Sequence, residues 1–298
     1  MNNNPLVSVF MPAYNHEDFV TLAIESLLAQ NYTNIEFIII NDGSTDMTHD
    51  KIMNLYEQCQ TKFKRFKYIS RENRGLLNTL KEMENLIKGK YLTLLYSDDI
   101  YTKNRISLQV ETMESNPEYA MCYGKMIGIN SHSEEIKRYK TKHMKSGYVF
   151  NDLLSRNFIP APTVMMNVSI LKEVGGYDLN YQYDDYPLWL KISKNNKIFF
   201  LDEYLVKYRT HDNNYSNDLI RTIKNVEKIL NSWNQEIIFN KIIKHFYLKS
   251  FYELARSDYD YKTEAHEYML KSLSSWYHPK FIKSLFRFYF KKYWRSRK

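Results

Sequence analysis

Two adjacent carboxylates, Asp98 and Asp99, are the pair in this sequence best suited to bind a metal ion. They directly follow Tyr91–Leu95, an apolar run that predicts a buried strand. Because neighbouring carboxylates repel each other, they need a cation or hydrogen-bond donors nearby, and hard oxygen ligands suit Mg²⁺ or Mn²⁺. The alternative is a solvated loop, or an N-terminal cap for a helix starting near Lys103, since Asp is favoured at that position.

A further carboxylate, Asp42, follows another apolar run, within Asn41-Asp42-Gly43-Ser44. These four residues form a good turn by themselves. At the end of a strand, however, the same carboxylate is placed to accept a hydrogen bond from a nucleobase imide or a ribose hydroxyl. The residues alone leave both interpretations open.

Asp184 and Asp185 precede a predicted helix at Tyr186–Ser193. The helix dipole stabilises negative charge at this end, which is the simpler explanation. The other is a general base in the acceptor half of a cleft, with its pKa raised by the neighbouring carboxylate. His211 lies in a polar loop two residues after Arg209, where it is either a surface residue or a contact to a diphosphate.

These side chains need a scaffold, and the first 125 residues predict one. Apolar runs typical of strands alternate with amphipathic helices, with strands at 7–11, 35–40, 66–70 and 91–95 and helices at 18–30, 52–59 and 76–87. This alternation predicts a parallel sheet with right-handed crossovers. Ligands of such sheets bind outside the carboxyl ends of the strands. We therefore expect Pro12–Asn15, Asn41–Gly43 and Ser97–Asp99 to converge on one site.

The middle of the chain is less regular, and its end is helical. We predict strands at 120–123, 163–166 and 206–209, and helices at 151–154, 169–174 and 186–193. From about residue 217 the apolar spacing is helical throughout. These patterns predict a domain at 1–216 and a helical region at 217–298.

Composition excludes several classes of protein. An apolar fraction of 44% excludes a wholly disordered chain. We expect no membrane-spanning helix and no secretory signal. Two cysteines are too few for a disulfide framework or a zinc site, and a reducing cytoplasmic setting is expected. The eight glycines form no dinucleotide-binding, P-loop or nucleophile-elbow motif.

The net charge of +8 is concentrated at one end. Residues 278–298 contain eight Lys and Arg and no acid, and the rest of the chain balances 34 basic against 34 acidic residues. This segment predicts a helix whose apolar residues share one face: Ile282, Leu285, Phe286, Tyr289 and Tyr293. Such a basic amphipathic helix favours an anionic membrane surface. A helix packed on its own domain with a solvated basic face is the alternative, and nucleic acid is disfavoured because the rest of the chain has no basic stripe.

Taken together, these motifs resemble inverting glycosyltransferases of family 2, which have the GT-A fold. The resemblance covers about residues 5–216 and rests on an ordered set: VSVFMPAYN (7–15), SLLAQ (26–30), IINDGSTD (39–46), NRG (73–75), GKYL (89–92), SDD (97–99), GGYD (175–178), DYPLWLK (185–191) and YRTH (208–211). It implies an α/β fold with a mostly parallel, Rossmann-like sheet, followed here by the helical extension.

The resemblance also implies roles for the nucleotide-sugar site. Pro12, Ala13 and Tyr14 would line the base pocket, and Asp42 would accept a hydrogen bond from the base. Asp98 would contact the ribose or the metal.

For the metal and the reaction, the family implies Mn²⁺ or Mg²⁺ on Asp99 and Asp98, with His211 helping to hold the metal or the diphosphate. Asp185 stands where the family keeps its general base. It would take a proton from the acceptor hydroxyl, and a single displacement at the anomeric carbon would invert the configuration.

Two departures from the family pattern concern the same site. The first acid of the metal motif is replaced by Tyr96, so metal binding would depend on Asp98 and Asp99. The arginine that many members carry after the Asn-x-Gly turn is missing, which leaves Lys81 or Arg74 for the diphosphate.

The resemblance therefore predicts a metal-dependent enzyme that transfers one sugar from a nucleotide sugar, with UDP favoured as the nucleotide. The acceptor would be a growing, lipid-linked bacterial surface glycan. We expect the protein in the cytoplasm, peripheral on the inner face of the cell membrane, with no nucleic-acid partner. A non-catalytic, membrane-docked protein that binds nucleotide sugars is the alternative.

Overall fold

The computed structural model describes residues 4–139, 141–182, 185–210, 218–257 and 261–295, with side chains up to residue 290. The chain divides into two compact units, Met1–Asp212 and Asn213–Lys298. Among the described residues, the first unit carries a mixed nine-stranded sheet and the second contains only helices.

The first four strands are parallel, as predicted, and lie in the spatial order β3-β2-β1-β4. Every residue of β1, β2 and β4 is buried, because helices cover both faces of a parallel sheet. The predicted helix at 52–59 is two short helices, although Ile52 and Cys59 still face the core. The elements are β1 (Val7–Ala13), α1 (Val20–Leu28), β2 (Ile35–Asp42), α2 (Thr48–Met53), α3 (Tyr56–Lys62), β3 (Arg65–Arg71), α4 (Leu76–Met83) and β4 (Tyr91–Leu94).

Pro12 lies in β1, a strand with a neighbour on each side. Proline cannot donate to a strand ladder and is normally excluded from such positions. Here β4 pairs only with Val7–Phe10, so Pro12 lies beyond the end of that ladder. The sheet therefore opens beside Pro12, at the edge where the ligand is expected.

The rest of the sheet is mixed. β8 is antiparallel to both β4 and β6, while β6 runs parallel to the long strand β9. The sequence patterns predicted fragments of these strands but neither β5 nor β7. The elements are β5 (Ile100–Tyr101), α5 (Arg105–Ser115), β6 (Tyr119–Ile129), β7 (Glu135–Arg138), α6 (Phe150–Ser155), a 3₁₀ turn (Ala161–Thr163), β8 (Met165–Asn167), α7 (Val168–Glu173), α8 (Asp185–Asn195) and β9 (Lys197–Arg209).

The second unit contains α9 (Leu219–Asn231), α10 (Phe239–Arg256), α11 (Lys262–Lys271), a 3₁₀ turn (Leu273–Ser275) and α12 (Pro279–Arg295). Its core is formed by apolar side chains from all four helices, with Phe251 and Tyr268 fully buried at its centre. None of the described helices in the chain is both long and apolar enough to cross a membrane.

Candidate active site

The loops that follow β1, β2 and β4 are joined by hydrogen bonds at the carboxyl edge of the sheet. The amide of Asn15 donates to Ser44 Oγ at 3.0 Å, and the amide of Thr45 donates to Asn15 Oδ1 at 2.9 Å. His16 Nδ1 lies 2.7 Å from Ser97 Oγ. The three segments that the sequence analysis expected to converge therefore do converge.

The β1 loop contributes one exposed ring to this edge. Pro12 and Ala13 are buried, whereas Tyr14 is about half exposed, at 47%. A buried strand end followed by an exposed aromatic ring suits a flat base, because the ring face can stack on it. The role of these residues in base binding remains a prediction.

Asp42 ends β2, and its carboxylate is buried against an arginine that the sequence analysis did not single out. Asp42 and Arg71 are register partners in neighbouring strands, and their side chains form an ion pair. Asp42 Oδ1 also accepts the amide of Arg74 at 2.9 Å. Arg71 in turn donates to Glu82 Oε2 at 3.0 Å and to Thr79 Oγ1 at 2.8 Å. Arg71 thus holds Asp42 in place and ties it to α4.

Asp99 is buried, with 1% of its surface exposed. Its Oδ1 accepts the amide of Arg209 at 3.0 Å, but Oδ2 has no hydrogen-bond partner among the described residues. Burial and the charge of Asp98 raise the pKa of Asp99 well above its usual value, against the opposing effect of the Arg209 amide. An ionised Asp99 therefore needs positive charge at Oδ2.

Arg209 supports this acidic turn from the end of β9. Its Nε donates to the carbonyl of Asp98 at 2.9 Å, and its Nη1 donates to the carbonyls of Asn130 and Ser131 at 2.8 and 3.0 Å. The guanidinium of Arg209 is buried and organises the loop backbone.

A second buried arginine, Arg105, lies behind Asp99. It donates to Thr93 Oγ1 at 2.7 Å and to Gln109 Oε1 at 3.0 Å, and its guanidinium lies 3.7 Å from the ring centre of Tyr101. Its positive charge partly offsets the rise in the pKa of Asp99. In the sequence, the only sign that Arg105 lies near Asp99 is its position at the start of α5, six residues later.

The carboxylate oxygens of Asp98 and Asp99 fit a divalent cation. Asp99 Oδ2 is a buried carboxylate oxygen without a partner in the described residues, and Asp98 is the adjacent carboxylate. Within the described ranges, no three His, Cys, Asp or Glu side chains come together as a complete metal site. Mg²⁺ and Mn²⁺ commonly bind through one or two carboxylates plus phosphate oxygens and water, so this set is sufficient in the presence of a diphosphate. His211 lies outside the described residues.

Asp185 is the first residue of α8 and lines a narrow cleft with Tyr96, Tyr177 and Trp189. Asn157 Nδ2 donates to Asp185 Oδ2 at 3.4 Å. The indole N–H of Trp189, one helical turn after Asp185, is buried and has no hydrogen-bond partner among the described residues. Asp184, expected to raise the pKa of Asp185, is outside the described part of the chain.

The two cations considered for the diphosphate differ in their surroundings. Lys81 Nζ donates to Glu84 Oε2 at 2.8 Å and to the carbonyl of Gly175 at 3.2 Å. The side chain of Arg74 is largely exposed and lies 3.8 Å from Glu82. Lys81 would have to leave Glu84 to reach a diphosphate, whereas Arg74 is already open to solvent.

Sequence comparison decides the family. The family described as "Glycosyl transferase family 2" matches residues 8–175, more than half of the chain. The chain belongs to glycosyl transferase family 2. This family 2 glycosyltransferase is 32% identical over 275 residues to an uncharacterised glycosyltransferase of Haemophilus influenzae, covering 87% of this chain and 84% of the relative.

A more distant relative has an activity in its name. The Escherichia coli protein WfgD, a UDP-Glc:α-D-GlcNAc-diphosphoundecaprenol β-1,3-glucosyltransferase, is 26% identical over 263 residues, which cover 86% of this chain and 97% of WfgD.

Solved structures show the same fold. A mannosyltransferase from Pyrobaculum calidifontis, in complex with GDP-Man and Mn²⁺, superposes with a TM-score of 0.64 at 14% identity, over 98% of this chain and 88% of the other. TarS 1–349 of S. aureus, in complex with UDP-GlcNAc, superposes with a TM-score of 0.65 at 17% identity, over 95% and 80%. The predicted GT-A fold is therefore confirmed.

Proposed function

We propose that this family 2 glycosyltransferase is a metal-dependent inverting enzyme that moves one sugar from a UDP-sugar to a hydroxyl of a lipid-linked bacterial glycan. One observation carries the proposal. Three joined strand-end loops present Asp42, Asp98 and Asp99 at one edge of the sheet, and Asp99 Oδ2 is buried there without a partner among the described residues.

In this proposal the donor lies along the carboxyl edge of the sheet. Tyr14 stacks on the base, which Pro12 and Ala13 border, and Asp42 accepts a hydrogen bond from the base while Arg71 fixes its carboxylate. Asp98 binds the ribose or shares the metal with Asp99. When bound, the divalent ion would stabilise the negative charge of the leaving nucleoside diphosphate.

Asp185 acts as the general base. It removes the proton from the acceptor hydroxyl as that oxygen forms a bond to the anomeric carbon, and the bond to the diphosphate breaks on the opposite face. Asn157 orients the carboxylate through its 3.4 Å hydrogen bond. Trp189 closes the cleft from its buried position. A single displacement inverts the configuration.

The name of WfgD supports both substrates of this proposal. That relative takes UDP-Glc and a diphosphoundecaprenol-linked sugar. A polyprenyl acceptor resides in a membrane, so we place this protein at the inner membrane face, where nucleotide sugars are available. Residues 1–277 carry no net charge, so we propose no nucleic-acid partner.

A thermal-shift screen of nucleotide sugars tests donor binding. We expect a UDP-sugar to raise the melting temperature in the presence of Mn²⁺ or Mg²⁺, because a ligand bound only to the folded state stabilises it. The Asp99→Asn variant should lose the metal-dependent part of this shift. Lack of stabilisation by any nucleotide sugar with metal would refute the proposal.

The Asp185→Asn variant tests catalysis separately. We expect UDP release in the presence of a lipid-linked acceptor to fall by at least about 100-fold, the usual contribution of a general base. Donor binding should be unchanged, because the carboxylate acts on the acceptor. Full turnover by this variant would exclude Asp185 as the base, and absence of turnover by the unaltered protein would favour the non-catalytic alternative.

A further inference from the structure

Helix α12 has two apolar faces, where the sequence predicted one. One face of α12 packs into the core of the second unit through Phe281, Leu285 and Phe288. The buried Ser284 lies on the same face at helical spacing. Leu285, expected on the membrane face, therefore belongs to the packed face. The helix is held on its own unit by one face and keeps a second apolar face exposed.

The exposed face of α12 forms an aromatic ridge. We use this term for four side chains at helical spacing that are each between 49% and 64% exposed, with the rings of Phe286 and Phe290 5.0 Å apart: Ile282, Phe286, Tyr289 and Phe290. Isolated apolar residues are common on protein surfaces, but a contiguous group of this kind marks an interaction surface.

Cations border the ridge. At about 100° per residue, Lys283 and Arg287 lie on the side of α12 directly beyond Phe286 and Phe290. Within the described residues, no carboxylate forms an ion pair with Lys280, Lys283 or Arg287.

Helix α10 extends this positive surface. Arg256 Nη1 donates to the hydroxyl of Tyr252 at 2.7 Å, and the guanidinium of Arg287 lies 6.0 Å from the ring centre of Tyr252. The hydrogen bond from Arg256, together with the charges of Arg256, Lys283 and Arg287, lowers the pKa of Tyr252. Two helices therefore place their cations on the same side of the unit.

We propose that the aromatic ridge docks on an anionic lipid bilayer, with its rings at the headgroup level and Lys283 and Arg287 against lipid phosphates. Charge selects this occupant. A second copy of the same surface would bring like charges together, whereas an anionic bilayer matches both the rings and the cations. Because α12 stays packed through Phe281 and Phe288, docking needs no release of the helix. The proposal deepens the proposed function, on which it rests for the lipid-linked acceptor.

Vesicle flotation tests the ridge. The full-length protein is mixed with phosphatidylcholine vesicles made with or without phosphatidylglycerol, and only the anionic vesicles should bind it. The Phe286→Ser/Tyr289→Ser variant should bind at least about tenfold more weakly, since interfacial binding scales with buried apolar area. The matched control is Ile136→Ser/Tyr148→Ser, which removes two exposed apolar side chains from the first unit and should bind normally.

A second pair of variants tests the cations. Lys283→Glu/Arg287→Glu should weaken binding by at least about tenfold and reduce its salt dependence, because each charge near an anionic surface contributes to the attraction. The control Lys62→Glu/Lys64→Glu makes the same change in net charge at exposed positions of the first unit and should have little effect.

The outcomes separate docking from catalysis. All variants should keep the thermal shift that the nucleotide sugar induces in solution. A variant that loses vesicle binding but still binds the nucleotide sugar therefore supports docking through the aromatic ridge. Normal vesicle binding by both the Phe286→Ser/Tyr289→Ser and the Lys283→Glu/Arg287→Glu variants would overturn the proposal, as would a protein dimer that only these variants dissociate. If the unaltered protein binds vesicles but no nucleotide sugar, the docking proposal holds and the proposed function is refuted.

Discussion

Arg71 gives the sharpest test of how the donor site is built. Its side chain is 11% exposed and that of Asp42 is 6% exposed, so the ion pair between them is largely withdrawn from water. In Arg71→Met the carboxylate of Asp42 stays buried with only the amide of Arg74 as a described partner. Removing one partner of a buried pair costs about 3 to 5 kcal/mol, because the remaining charge is uncompensated.

A loss of about 3 kcal/mol should lower the melting temperature by roughly 6 to 12 °C in a domain of this size. The assay is differential scanning fluorimetry followed by urea unfolding. The matched control is Lys90→Met, which removes a cation 2.6 Å from Glu114. The side chain of Lys90 is 48% exposed and that of Glu114 is 37% exposed. That exposed pair should contribute less than about 1 kcal/mol.

The variant Asp42→Asn/Arg71→Met separates charge from packing. It removes the uncompensated charge, so it should be more stable than Arg71→Met alone. Arg71→Met should also weaken UDP binding at least about tenfold, since a hydrogen bond accepted by a carboxylate held in place is worth more than about 1.4 kcal/mol. A melting temperature close to that of the unaltered protein, or no recovery in the double variant, would refute the reasoning.

Two further predictions concern stability and reactivity. Gly176 has a φ of +68°, and a Cβ there would overlap the carboxylate of Glu84, which accepts hydrogen bonds from the amide of Tyr177 at 2.7 Å and from Lys81 Nζ at 2.8 Å. Because the Glu84 side chain would have to move and lose these hydrogen bonds, Gly176→Ala should lower the free energy of unfolding by more than about 2 kcal/mol. Gly175→Ala, at φ +82° with open space around it, should cost only about 1 kcal/mol in the same urea titration, and equal losses would contradict the steric argument. Burial raises the pKa of the thiols of Cys59 and Cys122 to about 12. Since the thiolate is the reactive form, a thiol reagent at about pH 8 should label neither cysteine until the protein is unfolded, and rapid labelling of the folded protein would contradict this.

Much of the parallel half of the sheet could be predicted from local pattern. Apolar runs such as Ile35–Ile40 indicate strands covered on both faces, and the polar residues after them indicate ligand loops. Strands β5 and β8 gave weaker signals, because they are short and pair with strands from distant parts of the chain. Strand β7 pairs with β6, its neighbour in sequence, but its four residues are all exposed and form no apolar run. Pairing over long sequence distances leaves little trace in local periodicity.

The sequence by itself determined the family 2 motifs, the strand ends that carry Asp42, Asp98 and Asp99, and the concentration of positive charge in 278–298. These are properties of residue type and spacing. Only the tertiary structure decided that Asp42 is paired with Arg71 and that Asp99 Oδ2 has no partner in the described residues.

The same division holds for α12. The helical spacing of apolar residues in 281–290 indicates an amphipathic helix, but the apolar positions extend over more than one face. Which face is buried depends on the apolar surface of α10 and α11, against which Phe281, Leu285 and Phe288 pack. Local sequence sets which side chains favour burial, whereas the partner that buries them is chosen by packing between elements far apart in the chain.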